Sequence, residues 1–405
     1  MCADEEPSTH PLIPNLIKLQ HFNPTTMKRF VTLSFTMILF MHASSQGTGY
    51  EYERIRIGEA KHIISGLSLT PDKSVLAISS VQGFPFYLFD WKNREVIKEF
   101  DVGNWYAGSA IEYSKNGTYI LMNQLFYADF ALNKDKEVKF DIIDAVSGER
   151  IKRFGEFHSV AITPDEQFAL GLSGESVSYW NLSANAMETT FKVDEATNAI
   201  AISPDGNLIA VSHKLSEKSA KEMPQLQRDK KVLKSALKYK QQVSIYDAST
   251  FRKLYTVNDL YDIIYKLRFT ADGNDLLCLN IPHHKQQNTA TRQSYLNVID
   301  METGKPKRRG FTSQAYYEPD FKLSHDGKWL GLVSKNNRFL ELHIYDFRTG
   351  TLTYRFQQSF RLFEKNEGKM IAVDTRIFFV FLPDNESILM TMGNHLIQWN
   401  FTKNE

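Results

Sequence analysis

Few residues in this chain could do covalent or metal chemistry. His283-His284 is the one adjacent histidine pair. Neighbouring residues on a strand point to opposite faces, so the two could share a metal only from a loop, with Asp129 or Glu318 arriving from elsewhere. A metal centre needs three or four convergent donors, and ordinary surface histidines are the plainer reading. The only cysteines are Cys2 and Cys278, which excludes a Cys-x-x-Cys motif. There is no nucleophile elbow, no His-Glu-x-x-His and no Gly-rich phosphate loop. The expectation is therefore no catalytic residue, no metal site and no cofactor.

Residues suited to recognition are more numerous. Trp105 and Tyr106, Tyr127 with Asp129, His283 and His284, and Tyr316 and Tyr317 with Glu318 all fall between apolar segments. Rigid aromatics with polar tips suit a binding surface; the alternative is that these rings cap the core beneath them. Residues 213–240 hold nine cations, among them Lys230, Lys231 and Lys234, against three acids, a net charge of +6. Past Pro224 the apolar residues Leu226, Val232, Leu233, Ala236 and Leu237 predict a short amphipathic helix. Its plain reading is a solvated lid, and its functional one is docking on an anionic glycan, a membrane surface or an acidic protein.

Bulk composition narrows the field. The 405 residues carry Lys+Arg 48 against Asp+Glu 47, a formal charge of +1, so no global field draws the protein to nucleic acid. A hydrophobic fraction of 42% with 23% charged residues excludes a disordered chain and a multi-span membrane protein. Phe 28 and Tyr 18 favour pleated sheets.

The first 45 residues fall outside the expected fold. Lys28-Arg29 precedes a mostly apolar run from Phe30 to Met41, then Ala43 and Ser45 in a small-residue cleavage context. This is the pattern of an export signal over 27–45, with cleavage before Gln46. As a helix the apolar run rises about 18 Å, short of the roughly 30 Å hydrocarbon core, so no lasting membrane insertion is expected. Residues 1–26 are acidic near their start, and Met27 stands directly before the cations, so 1–26 reads as a mis-called start. The expected mature protein, 46–405, is a periplasmic or extracellular monomer in which Cys278 is alone.

The elements that must position everything else are repeats. A turn signature recurs seven times, as Thr70-Pro71-Asp72-Lys73, Ser114-Lys115-Asn116-Gly117, Thr163-Pro164-Asp165-Glu166, Ser203-Pro204-Asp205-Gly206, Thr270-Ala271-Asp272-Gly273, Ser324-His325-Asp326-Gly327 and Leu382-Pro383-Asp384-Asn385. Proline presets φ, Asp or Asn bonds nearby backbone, and Gly or Asn accepts positive φ. A second word closes a later strand, also seven times, as in Ile245-Tyr246-Asp247 or Gln398-Trp399-Asn400. Four antiparallel strands per repeat follow, except that the last repeat lacks its fourth. Tyr50 to Ile57 is an unused strand-like run, and a ring must leave no open sheet edge. We therefore expect an all-β seven-bladed β-propeller whose N-terminal strand completes the last blade.

In these words the chain resembles bacterial exported seven-bladed propellers of the WD40-like and YVTN-like repeat families, over about residues 50–405. It departs from eukaryotic WD40 proteins in lacking a regular Gly-His start and Trp-Asp end. Seven blades of about 42 residues leave a surplus close to that of four stretches that fit no strand, 125–137, 213–240, 282–293 and 357–370. With strands lettered a to d from the axis outward, the first three are b–c connections and the last is d–a. All four leave the same face. The resulting expectation is a non-catalytic platform that recognises a protein or glycan through that face. Propellers similar in repeat type include enzymes, so the resemblance also implies an alternative, a hydrolase or lactonase with a metal or carboxylate site at the channel mouth.

Overall fold

The computed structural model describes residues 52–58, 63–81, 85–103, 105, 108–125, 140–194, 196–282, 293–314, 319–336, 338–366 and 368–403. They form seven four-stranded antiparallel blades, spanning 64–100, 109–154, 159–192, 196–256, 263–314, 321–359 and 379–400. The seventh has only strands a to c from its own repeat. Its outer strand is Tyr52–Arg56, which pairs antiparallel with His395–Asn400 in the register Tyr52↔Trp399 to Arg56↔His395. Past the strand, the Ile57 amide donates to Asn394 O at 2.9 Å.

The repeated words act through hydrogen bonds. In six a–b turns the opening Ser or Thr hydroxyl accepts the amide five residues on, at 2.9–3.0 Å. The fourth turn residue is left-handed in every copy, with φ between 57° at Asn385 and 84° at Gly117. At the end of each strand c, the Asp or Asn carboxyl or amide oxygen accepts the amide three residues on, at 2.7–3.1 Å.

The core is a ring of seams. Seven apolar clusters fill the seams between neighbouring blades, the one between blades 7 and 1 also taking in Leu125 of blade 2; in another, Trp329, Leu342 and Phe356 of blade 6 meet Phe379, Met390 and Trp399 of blade 7. Except in blade 2, strand b is buried on both faces, which explains its nearly continuous apolar runs. In blade 5, Leu276 and Cys278 face the seam with blade 4, while Leu277 and Leu279 face blade 6.

Two sequence expectations need amendment. The segment 357–370 is not strandless: strand d of blade 6 runs Leu352–Ser359, and Arg361–Asn366 pairs with Lys369–Asp374 in an extra hairpin. Charged residues within it blur the apolar alternation. The insertion in blade 4 holds three helices rather than one: α1 (Glu217–Lys221), α2 (Pro224–Gln227) and α3 (Lys230–Tyr239). They bury Leu215, Ala220, Met223, Leu226 and Ala236 in a small core of their own. Ser216 and Asp229 cap α1 and α3 by accepting amide hydrogen bonds.

Candidate functional site

The inner strands enclose a channel of about 2450 Å³. At one end lie the a–b turns, among them Lys115, Pro204 and Asp272. At the other lie the flanks of the long connections: Leu125, Lys214 with Gln241, Pro282, Gln314 and Phe360. The three-helix insertion and the extra hairpin thus spring from one channel mouth. On α3 the side chains of Lys230, Lys231 and Lys234 are exposed, and on the hairpin Phe363 and Met370 are 70% and 65% exposed.

Trp105 does not face solvent. It is 3% exposed, packed with Phe86, Phe100, Ile111 and Ile120 in the seam between blades 1 and 2. Its indole N–H donates to Val102 O at 3.2 Å. The guanidinium of Arg153 stands 5.8 Å from its ring, itself held by the buried Asp141 carboxylate at 2.7 and 2.6 Å. The connection folds its largest ring inward because the seam offers an apolar slot, so Trp105 caps the core. Tyr106, Tyr127, Asp129, His283, His284, Tyr316, Tyr317 and Glu318 lie outside the described residues.

A group of charges that the sequence reading did not single out occupies the channel. Two residues before each turn's opening Ser or Thr, blades 1, 3 and 4 place Ser68, Ala161 and Ala201, whereas blades 2, 5 and 6 place Glu112, Arg268 and Lys322. Four residues before it, blades 5 and 6 add Lys266 and Asp320. Arg268 Nη2 meets Glu112 Oε1 at 2.8 Å, joining blades three apart in a ring of seven, so this ion pair spans the lumen. Lys266 Nζ donates to Asp320 Oδ1 at 2.6 Å. Lys322 Nζ, on blade 6, donates to Leu67 O of blade 1 at 3.0 Å.

Protein walls these groups on all sides, yet the channel wets them, and Glu112 remains 52% exposed. Burial alone would raise the Glu112 carboxyl, but Arg268, Lys266 and Lys322 outweigh it and hold it below its usual range. Asp320 is likewise lowered, its burial offset by Lys266 and Lys322. Lys322 is pushed down to about 8, first by burial and then by Lys266 and Arg268, against the pull of Asp320 and Glu112. Both carboxylates are ionised near neutrality, so neither is set to give a proton as a general acid.

One Ser–His contact resembles an activated nucleophile. His213 Nε2 lies 2.8 Å from Ser244 Oγ. Both residues are at most 1% exposed, Ser244 also bonds Thr256 Oγ1 at 2.8 Å, and Asp194 approaches the same imidazole nitrogen at 3.8 Å rather than the opposite one. Burial lowers the imidazole. The arrangement ties strands b, c and d of blade 4 and offers a substrate no approach. Among the described residues no group of three or more His, Cys, Asp or Glu is placed to hold a metal ion.

The fold and channel define a seven-bladed β-propeller. No protein-family model matches the chain, and a search of curated proteins finds no match. Among solved structures it is similar to Kuenenia stuttgartiensis hydrazine synthase, at 14% identity and a TM-score of 0.55, over 88% of this chain and 98% of that one. At that identity the likeness is one of fold alone.

Proposed function

We propose that this chain is an exported, non-catalytic propeller that recognises a protein or glycan across the channel mouth bearing the long connections. The observation carrying this reading is the placement of those connections: the three-helix insertion, the extra hairpin and the flanks of the remaining connections surround one end of the channel, while tight turns close the other. Long connections in compact domains commonly carry function. Export rests on the signal-like segment 27–45, and the partner class on the exposed Lys230, Lys231 and Lys234 of the insertion and the exposed Phe363 and Met370 of the hairpin. The hydrolase or lactonase alternative has less support: Glu112 and Asp320 are tied up with Arg268 and Lys266, and among the described residues no three His, Cys, Asp or Glu converge to hold a metal ion.

Photo-crosslinking in the host envelope tests this. Probes at Lys231 and Phe363 should trap a discrete partner, and a probe at Lys115 on the turn face should not. Replacing Lys230, Lys231 and Lys234 by Gln, which leaves the small core under α3 intact, should weaken capture several-fold. Equal trapping from both faces, or from the turn face alone, would remove the reading.

A further inference from the structure

We infer that the channel binds a small carboxylate anion, which replaces Glu112 at Arg268 and is held jointly by Arg268, Lys266 and Lys322. This does not depend on the recognition reading, because the ligand lies inside the ring and the partner on its rim.

The five charges are concentrated on blades 2, 5 and 6, whereas the equivalent positions of blades 1, 3 and 4 carry Gly66 and Ser68, Ser159 and Ala161, and Ala199 and Ala201. A lumen lined with such residues needs no ions for packing, and bringing three cations together is electrostatically unfavourable without anions beside them. Two anions are present. Asp320 belongs to the adjacent blade and is 19% exposed, a fixed partner of Lys266. Glu112 is different: it reaches across the lumen from blade 2 and keeps half its surface in water. It therefore stands where a soluble carboxylate would bind the guanidinium. With Glu112 in place the five groups sum to +1, and with its carboxylate swung away from Arg268 the other four sum to +2. That deficit suits a mono- or dicarboxylate. The channel volume of about 2450 Å³ leaves ample space for one, since pockets for small ligands measure about 300–1,000 Å³.

If the cross-channel pair were only a staple, removing the Glu112 charge would weaken the protein and do nothing to ligands. As an internal competitor, its removal must strengthen ligand binding. The test uses calorimetric titration of the 46–405 protein with succinate, with neutral succinamide and inorganic phosphate as comparisons. Saturable succinate binding is expected, about tenfold tighter in Glu112→Gln and at least tenfold weaker in Arg268→Gln. Should Arg268→Gln fail to fold, the wild-type pH profile decides: succinate affinity should fall as pH rises through about 8, where Lys322 loses its proton. The groups facing Lys322 are Asp320, Lys266, Arg268 and Glu112, and the carboxylates stay ionised throughout that range. No saturable succinate binding, unchanged or weaker binding in Glu112→Gln, or a flat pH profile would overturn the inference. Phosphate binding tighter than succinate would overturn the carboxylate assignment.

Discussion

Asp247 shows how much one turn residue does here. Its carboxylate accepts the Ser249 and Thr250 amides and both their hydroxyls, at 2.7–3.1 Å. These bonds, the Thr250 hydroxyl first, hold it down at about 2. Asp300 is held at about 2 by the Thr303 amide and then Lys307, and Asp72, Asp90, Asp205 and Asp346 are lowered by similar turn bonds. Each folded value lies below the unfolded one, near 3.9, so between them the unfolded chain binds more protons. Stability from these turns is therefore complete above about pH 4 and is lost as pH falls toward about 2. The urea midpoint should drop steeply over that window, and Asp247→Asn should start lower at pH 5 and fall less. Equal midpoints at pH 5 and pH 2.5 would contradict this. These turn residues were legible because their chemistry is local: a hydroxyl, a carboxylate and a residue of positive φ within six positions. Lys73 and Glu166, at φ 62° and 59°, were legible only through the other copies of the repeat. Glu112, Arg268 and Lys322 were not legible, because their meeting depends on which blades face one another across the channel.

At the scale of elements, the seams decide which strand positions tolerate no side chain. Gly331 is the third residue of strand b in blade 6 (Trp329–Lys335), opposite Lys322 and Ile344. A Cβ there would fall 2.4 Å from Cε2 of Phe379, a fully buried ring on strand a of blade 7. The ring belongs to the same buried cluster as Phe381, Met390 and Leu342, its centroid 6.0 Å from that of Phe381. Gly331→Ala should cost about 1–3 kcal/mol as an overpacked core site, read as a lower urea midpoint at unchanged slope. No loss would mean that the seam between blades 6 and 7 is looser than described. The apolar pattern of strand b announced burial on both faces, but not which position had to be glycine, since the clash comes from a different repeat. The extra hairpin was missed for a related reason. Its strands Arg361–Asn366 and Lys369–Asp374 pair only with each other, so no repeat supplied a template for them.

For the whole molecule, everything rests on how the ring closes. Blade 7 carries the same turn after strand c as the other six: Asn400 Oδ1 accepts the Lys403 amide at 3.1 Å. In the other blades that turn leads into strand d, whereas here the outer place is filled by Tyr52–Arg56 from the opposite end of the repeats. The strand also brings side chains: Tyr52 meets Phe356 edge-on at 5.7 Å between ring centroids, Ile55 packs against the seam with blade 1, and Glu53 pairs with Arg94 of that blade. A chain starting at Gly58 would lose these contacts and the five-residue ladder, uncovering the edge at Leu396, Ile397 and Trp399. An exposed apolar edge invites pairing with other chains. The truncation should melt several °C lower, since each kcal/mol shifts the midpoint by roughly 1–2 °C in a domain of about 350 residues, and should elute partly as aggregate. Adding 52–57 after Lys403 through a short Gly-Ser link should restore both melting and the monomer peak, because the Asn400 turn already aims the chain back along strand c. A truncation as stable as the parent would show that the ring is held by its seams alone. A permuted chain no better than the truncation would show that the outer strand must be joined to blade 1, so that closure depends on the connection as well as on the pairing.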